Sequence, residues 1–360
     1  MAYDIRLCNS IDEIPVADWD GMVGEHPFAK HCWFRFLEGA AHDYQPHYVV
    51  LYRNGQAVAG AAYVVQRHEQ IPLVQPVRAI LEAYLSRRPL LSCQVYLLGK
   101  PALFLPEGED RPEVTRQLLE ATRRLAAGEG YSFIVYDYLE AGPELASLRQ
   151  AGLQDLLYPS EEGTFLPITW HSFEEYLMSL GHKRRQDLRR NIRRAEEAGA
   201  QVEVKRLASS NGGTPLSPAE QARVHELVHN VYRQHRERKM PSPDAFCASA
   251  AANVADQVIL LLVHLDSQIA GCGFLLQDEG EISLRVLGLD YALDERGHVY
   301  RSLWHGAIRH AIQSGARRLD GGSTAYALKQ RLGFQLERTS VSFTSASPVL
   351  RRLGSWLARF

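Results

Sequence analysis

Sulfur is scarce in this chain, with five cysteines and four methionines among 360 residues. Cys8, Cys32, Cys93, Cys247 and Cys272 are scattered and form no CxxC pair. Neither a disulfide framework nor a cysteine metal cage is written into such a pattern, and reduced thiols in a cytoplasm fit it best. Net charge is equally small: 40 Lys and Arg against 42 Asp and Glu leave −2. That excludes a global polybasic attraction to nucleic acid and leaves room only for a local patch. No apolar run is long enough to span a bilayer. The opening MAYDIRLCNSIDEIP carries early acids and no apolar core, so it does not read as a signal peptide. A cytoplasmic protein without a bound metal is the expectation.

What is present is a globular composition, 46% hydrophobic and 23% charged, at a length comfortable for two domains. The most informative stretch is Glu281–Phe334. It reads as the strand EISLRVLGLD, a loop, the amphipathic helix VYRSLWHGAIRHAIQSG, a strand ending in Asp320-Gly-Gly-Ser-Thr324, and a helix closed by Gly333. Strand–helix–strand–helix order predicts a sheet covered by crossover helices, with ligands at the carboxyl ends of its strands. Upstream, Asn54-Gly55 between His47–Arg53 and Gln56–Gln66 is a hairpin signal. Tyr131–Tyr138 reads as a buried strand and Thr164–Thr169 as another. Val74–Leu105 is broken by prolines and takes no clear assignment. Ser172–Gly199 predicts one long helix, opened by a Ser172/Glu175 capping box and stopped at Gly199. Its apolar stripe is Phe173, Leu177, Leu180, Leu188, Ile192 and Ala195, and its other face is crowded with Lys and Arg. Ser209–Pro218 predicts a flexible loop, and a terminal helix is expected from Pro348.

An internal repeat shapes the architecture. Asn54–Gln66 aligns with Leu265–Gln277, with Ala59-Gly60 falling on Ala270-Gly271. Further along, helix–Gly–strand–Asp137–helix–Gly152 is echoed by helix–Gly315–strand–Asp320–helix–Gly333, which indicates a duplicated α/β unit. With these residues in place the chain resembles the GNAT acyltransferase fold. Doubled, with the basic helix KRRQDLRRNIRRAEEAG between the halves, it resembles the FemAB-like acyltransferases. The resemblance implies an α/β fold with mixed sheets, built from tandem GNAT-like domains. It places an N-terminal domain at 1–168, a catalytic domain at 169–345 and a C-terminal helix at 346–360. It also implies transfer of an acyl group from acyl-CoA to an amine by direct attack. Aminoacyl transfer from aminoacyl-tRNA, of the FemAB type, is the alternative. The acceptor would be a small-molecule amine or a peptidoglycan-precursor-like substrate.

The same resemblance marks candidate residues. The CoA pyrophosphate would meet the segment Asp294-Glu-Arg-Gly-His-Val-Tyr300, where Arg296, Gly297 and His298 lead into a helix whose free amides favour anions. The segment lacks the fuller RxxGxG pattern, and Asp294 and Glu295 stand beside it, which leaves room for another donor. Arg285 and Ser323 complete the donor-side candidates. Arg285 interrupts an apolar strand, and a charge there needs either a ligand or a partner such as Asp290 or Asp320. Where GNAT enzymes often carry a Tyr four residues before the closing Gly-Phe, this chain has Lys329, able to act as an acid or as a point charge on a developing oxyanion. Tyr326 is a second candidate acid. Asp320 is the candidate for orienting an acceptor amine, which must lose a proton to attack. The basic face, with Arg184, Arg185 and Arg189 foremost, is read as binding phosphates of tRNA or another anion.

One motif competes. His225-Glu-Leu-Val-His229 matches HExxH, with His235 where a third zinc ligand would stand, as in a metallopeptidase. That family needs a Gly where Tyr232 stands, and no methionine follows Met240 to form its Met-turn. On the acyltransferase reading the same helix roofs the acceptor cleft, where His225, His229 or Tyr232 would touch substrate.

Overall fold

The computed structural model describes residues 3–41, 43–67, 75–108, 110–156, 162–207, 216–235, 242–294, 297–347 and 349. The chain runs through β1 (Asp4–Cys8), α1 (Val16–Val23), α2 (His31–Ala40), β2 (Pro46–Arg53), β3 (Gln56–Gln66), α3 (Gln75–Arg87), β4 (Leu90–Cys93), β5 (Leu103–Phe104), α4 (Arg111–Glu129), β6 (Ile134–Leu139), α5 (Pro143–Gln150) and β7 (Gln154–Leu156). It continues through β8 (Gly163–Pro167), α6 (Phe173–Ser179), α7 (His182–Glu197), β9 (Gln201–Arg206), α8 (Pro218–His235), α9 (Pro243–Asn253), β10 (Val258–Leu265), β11 (Gln268–Asp278), β12 (Glu281–Leu289), α10 (His298–Gln313), β13 (Arg318–Asp320), α11 (Tyr326–Arg331), β14 (Gln335–Glu337) and β15 (Ser340–Thr344).

These elements build two mixed sheets of matching plan. The first orders its strands β1-β2-β3-β4-β6-β15-β7, with β5 on the side of β3, and the second β9-β10-β11-β12-β13-β8-β14. Placed side by side, the orders agree strand for strand, which is the duplication read from the sequence. One feature of the plan is absent from that reading. In each sheet the strand next to the end comes from the other half of the chain. β8 follows β7 in sequence but pairs antiparallel with β13 and β14, while β15 follows β14 but pairs antiparallel with β6 and β7.

The chain accordingly divides into one unit holding the segment up to Phe34, Tyr44–Glu162 and the segment from Arg338, and a second holding Arg35–Asp43 and Gly163–Glu337. The compact units change over at 162/163 and 337/338, beside the expected 168/169 and 345, because each half's final strand pairs in the other half's sheet. Of the expected helix over 346–360 only 346, 347 and 349 are described, and the loop over 209–215 lies outside the described residues.

Local sequence accounts for most elements. Asn54 and Gly55 both take positive φ, 53° and 80°, as a two-residue hairpin turn that follows strand twist requires. The second hairpin makes the same turn with Asp266 and Ser267. Strand β3 begins at Gln56 and β11 at Gln268, so the structural repeat lies one residue further along than the Ala-Gly alignment suggests. The basic helix does not run unbroken and does not join the units. Leu180 leaves helical geometry at ψ 144° and Gly181 opens α7, both inside the second unit. The apolar stripe survives the break, since Leu177, Leu180, Leu188 and Ala195 are all buried.

The core of the second unit lies between α10 and the sheet. Leu303, Trp304, Ala307 and Ile308 pack with Leu261, Leu275, Ile282 and Leu284, and α6 and α7 add Tyr176, Leu177 and Leu188. Each large apolar side chain contributes about 1.5–3 kcal/mol on burial, so α10 is held rigidly against the strands whose ends form the site.

Candidate active site

Strands β12 and β13 run parallel but pair only from Glu281–Arg318 to Ser283–Asp320. Beyond Ser283 they part, and β12 continues alone on that side to Leu289. Within this stretch the ladder to β11 slips between Gly273 and Phe274, leaving Val286 as an extra residue with φ 49°. A β-branched side chain rarely adopts that backbone, and a bulge leaves its extra residue outside the ladder. The bulge sits on the part of β12 that lies beyond its last pair with β13.

At the fork stands Asp320, 6% exposed. One carboxylate oxygen accepts from Arg285 at 3.2 Å and from the Gly322 amide at 2.7 Å. Arg285 thus meets Asp320, the partner alternative weighed in the sequence, while Asp290 pairs instead with Arg223 at 2.6 Å. The two glycines have separate reasons. A Cβ on Gly321 would sit 2.7 Å from the Thr164 hydroxyl and 3.0 Å from Phe334, and one on Gly322, whose φ is 69°, would sit 2.5 Å from Arg285. Thr164, on the exchanged strand β8, locks this turn: its amide and hydroxyl both donate to the Gly322 carbonyl and its own carbonyl accepts from Gly321. Nothing in the local sequence singles Thr164 out, because its role depends on a strand arriving from the other half.

Lys329 lies beneath the turn with no solvent exposure. Its ammonium donates to the carbonyls of Gly321 and Thr324 and stands 5.1 Å from the centre of the Trp304 ring. Burial, and then the nearby Arg285, lower its pKa to about 8, with Asp320 acting in the opposite direction. Lys329 thus stands as a buried charge that holds the Gly-Gly turn from below. Tyr326 begins α11, half-buried, one turn before Lys329, and Ser323 lies half-buried in the loop between Asp320 and α11.

The other donor-side candidates collect at the start of α10. Gly297 is its N-cap with φ 66°, and His298 is its first residue, half-buried. Arg296 lies outside the described residues. Two of the first-turn amides are already held: Val299 and Tyr300 donate to the two carboxylate oxygens of Asp294, at 2.8 and 3.2 Å. Asp294 is fixed in turn by a hydrogen bond that its backbone N–H donates to the Asp290 carbonyl. The Asp290 carboxylate accepts from the amides of Ala292 and Leu293. Burial works against the charge on Asp290, but Arg223 and these amides hold its pKa below the ordinary carboxylate value.

On the basic helix the three named arginines part company. Arg185 donates to the carbonyls of Met178 and Leu180, closing the end of α6, and Arg189 pairs with Glu174. Arg184 is exposed. Arg189 and Arg193 line an open groove of about 430 Å³ with Phe173 and Arg309, but Glu174 and Glu196 line it too.

The HExxH segment lies on α8, where Leu227 and Val228 are fully buried against the sheet. A Cβ on Gly288 of β12 would come within 2.7 Å of the Val228 amide, so the motif's centre is a packing contact. His225 faces Asp244 at 3.5 Å, His229 accepts from Arg233 at 3.0 Å and Glu226 pairs with Arg223. Among the described residues no three His, Cys, Asp or Glu side chains gather in a metal-binding group. Tyr232 lies two turns beyond His225 on this helix, half-buried. No described helix is long and apolar enough to cross a membrane.

The corresponding fork in the first unit is closed by packing. There the last parallel pair joins Cys93 to Tyr136, and the Tyr136 hydroxyl meets that of Tyr63 at 2.9 Å, which in turn meets Thr122 at 2.8 Å. Tyr63 and Tyr136 are fully buried.

Comparison with known proteins agrees with this geometry. A family model named FemAB-like, described as peptidoglycan biosynthesis/recognition, matches residues 10–359. FemX superposes with a TM-score of 0.59 at 13% identity, covering 91% of this chain and 96% of its own. A tandem GNAT protein from the clavulanic acid biosynthesis pathway gives 0.57 at 14% identity, covering 96% and 99%. L-PGS from Bacillus licheniformis gives 0.56 at 13%, covering 95% and 96%. Comparison with curated protein sequences finds no match. With matching doubled sheets, a forked β12–β13 pair and a family match over nearly its whole length, the chain belongs to the FemAB-like family and is a transferase of the acyl- and aminoacyl-transferring class, built from tandem GNAT-type folds.

Proposed function

We propose that the second unit transfers an acyl or aminoacyl group to a primary amine by direct attack, in the cleft that opens where β12 and β13 part. The observation that carries this reading is the Arg285–Asp320 pair at the fork, seated on a Gly-Gly turn with the Lys329 ammonium beneath it. In the reaction the amine nitrogen bonds to the carbonyl carbon and the bond to the donor's sulfur or oxygen breaks. The amine's proton passes to Asp320 directly or through water, and the leaving thiolate or alkoxide takes up a proton, with Tyr326 as its source. Arg285 and Lys329 supply positive charge near the oxyanion that forms in between, where a low-dielectric setting makes such charge most effective. The acceptor is a small-molecule amine or a peptidoglycan-precursor-like amine, in keeping with the family's description. Burial of both tyrosines at the first unit's fork supports a structural or acceptor-binding role there.

Two donors satisfy this chemistry, an acyl-CoA thioester and an aminoacyl ester of tRNA. For the thioester the candidate contacts are Arg285, Gly297, His298 and Ser323. For tRNA the exposed Arg184 with Lys183, Arg193 and Arg194 offers a sequence-independent grip on phosphates. The test is a transfer assay with purified protein, radiolabelled donors of both kinds and a panel of primary amines. Amide product is expected from one donor class, with release of free thiol or of uncharged tRNA identifying which. Absence of amide product from both classes, with peptidoglycan-precursor amines in the panel, would refute the reading.

A further inference from the structure

A hydroxyl buried without a hydrogen-bond partner lowers stability, and each one kept in a native fold calls for a reason. Such departures from good packing concentrate at functional sites. Ser283 is one of them: it has no solvent exposure, and its Oγ has no hydrogen-bond partner among the described residues. It stands at the last position where β12 pairs with β13, and its partner across that parallel ladder is Asp320. Paired residues project from the same face of a sheet, on strands roughly 5 Å apart. From β11 to β8 the row on that face reads Leu276, Ser283, Asp320, Phe165, so the serine is the polar neighbour of Asp320 within it. Ile282 and Leu284, on either side of Ser283, turn the other way into the core with α10. Arg285, two residues on, shares the Ser283 face and reaches the same carboxylate.

We infer that Ser283 is a positioning residue for the transfer reaction, accepting a hydrogen bond from Asp320 once Asp320 has taken the amine's proton. The inference rests on acyl transfer at the β12–β13 fork and deepens it. As a carboxylate, Asp320 needs donors, and its Oδ1 has two in Arg285 and the Gly322 amide. When the amine nitrogen bonds to the acyl carbon, its proton passes to the other oxygen, Oδ2. The carboxylic acid so formed is a donor and needs an acceptor. Ser283 Oγ offers one, because no other hydrogen bond occupies its lone pairs. No bond to the serine forms and no proton moves onto it. The proton leaves Asp320 to solvent, and solvent restores to Tyr326 the one given to the leaving group.

The test compares the full-length wild type with Ser283→Ala, Ser283→Thr, Asp320→Asn and the double variant of Ser283→Ala with Asp320→Asn. Ser283→Ala is expected to lower kcat about tenfold, the scale of one hydrogen bond, with KM for the amine within about twofold. Its urea midpoint of unfolding should be unchanged or raised, because the hydroxyl removed was bonded to nothing. Ser283→Thr keeps the hydroxyl and should keep most of the rate. In the Asp320→Asn background the alanine should cost less than about twofold, since a residue acting through Asp320 has nothing left to act on. An undiminished loss in that background, a loss matched by a lower urea midpoint, or an unchanged kcat in Ser283→Ala overturns the inference. The infrared carboxylic-acid stretch of Asp320 at acid pH gives a readout without turnover. It is isolated as wild type minus Asp320→Asn, and as Ser283→Ala minus the double variant. The band should lie at higher frequency in the alanine pair, where the acid has lost its acceptor, and an unchanged band overturns the inference. Failure of the proposed reaction would appear as no amide product from the wild type, while the band still decides whether Ser283 accepts from Asp320.

Discussion

A chain ending at Glu337 is expected to lose the fold of the first unit while keeping that of the second. The segment removed contains β15, which in the first sheet holds β6 on one side and β7 on the other. Phe343, buried on that strand, contacts Phe133 with ring centres 6.4 Å apart, and loss of such a side chain costs about 3–5 kcal/mol. The Ser345 hydroxyl donates to the Ser132 carbonyl at 2.6 Å and is lost as well. Unpaired ladder groups on two strands add about 1–3 kcal/mol for each one left buried. Against a typical total of about 5–15 kcal/mol the unit cannot survive the loss. Hydrogen exchange provides the measurement. Amides of Ile134–Leu139 should lose protection in the shortened chain while those of Val258–Asp278 retain it, and a peptide spanning 338–347 should restore the former. Retained protection in β6 would contradict the exchange of strands.

Replacing Lys329 by methionine, similar in length but uncharged, is expected to lower the transfer rate by about 100- to 1000-fold, the scale of removing one preorganised charge from a transition state. The substitution also leaves the Gly321 and Thr324 carbonyls without their donor, so some loss of stability accompanies it. A purely structural role can be separated by the pH profile. With a folded-state pKa of about 8, the ammonium is present below that pH and lost above it. Transfer by the wild type should therefore decline as pH rises through about 8, and the residual rates of Lys329→Met and of the permanently charged Lys329→Arg should lack that limb. An unchanged alkaline limb in both variants would assign the titration elsewhere.

Legibility in the sequence followed the range of the forces involved. The Asn54-Gly55 hairpin, the strand–helix–strand–helix order of 281–334 and the second copy of the plan were all readable, because turn chemistry and periodicity are local. The pairing of β8 and β15 was not. Both are five-residue strands whose partners lie in the other half, and period alone does not say which sheet a strand joins. The short buried strand β4, Leu-Leu-Ser-Cys, carries no alternation, so 74–105 stayed unassigned. The break between α6 and α7 did have a signal in Gly181, an isolated glycine in a helical pattern, but the continuing apolar stripe masked it. At the site, Asp320 and the glycines were visible as strand-end features, whereas the bulge at Val286 and the lock by Thr164 depend on tertiary pairing. Asp294 was legible as an acid beside a helix start, and the structure shows its carboxylate accepting hydrogen bonds from the Val299 and Tyr300 amides.

On the proposed function, chemistry belongs to the fork in the second unit and not to its packed counterpart in the first. The most direct measurement is the transfer rate of Asp320→Asn beside that of Tyr136→Phe, each with its fold verified by circular dichroism. Asparagine can still accept from the Gly322 amide but cannot take an amine's proton, so a fall of about 100-fold or more is expected. Tyr136→Phe removes one buried hydroxyl from the Tyr63–Thr122 network and should leave the rate within about twofold while costing about 1 kcal/mol in stability. A rate unchanged in Asp320→Asn and abolished in Tyr136→Phe would contradict the account.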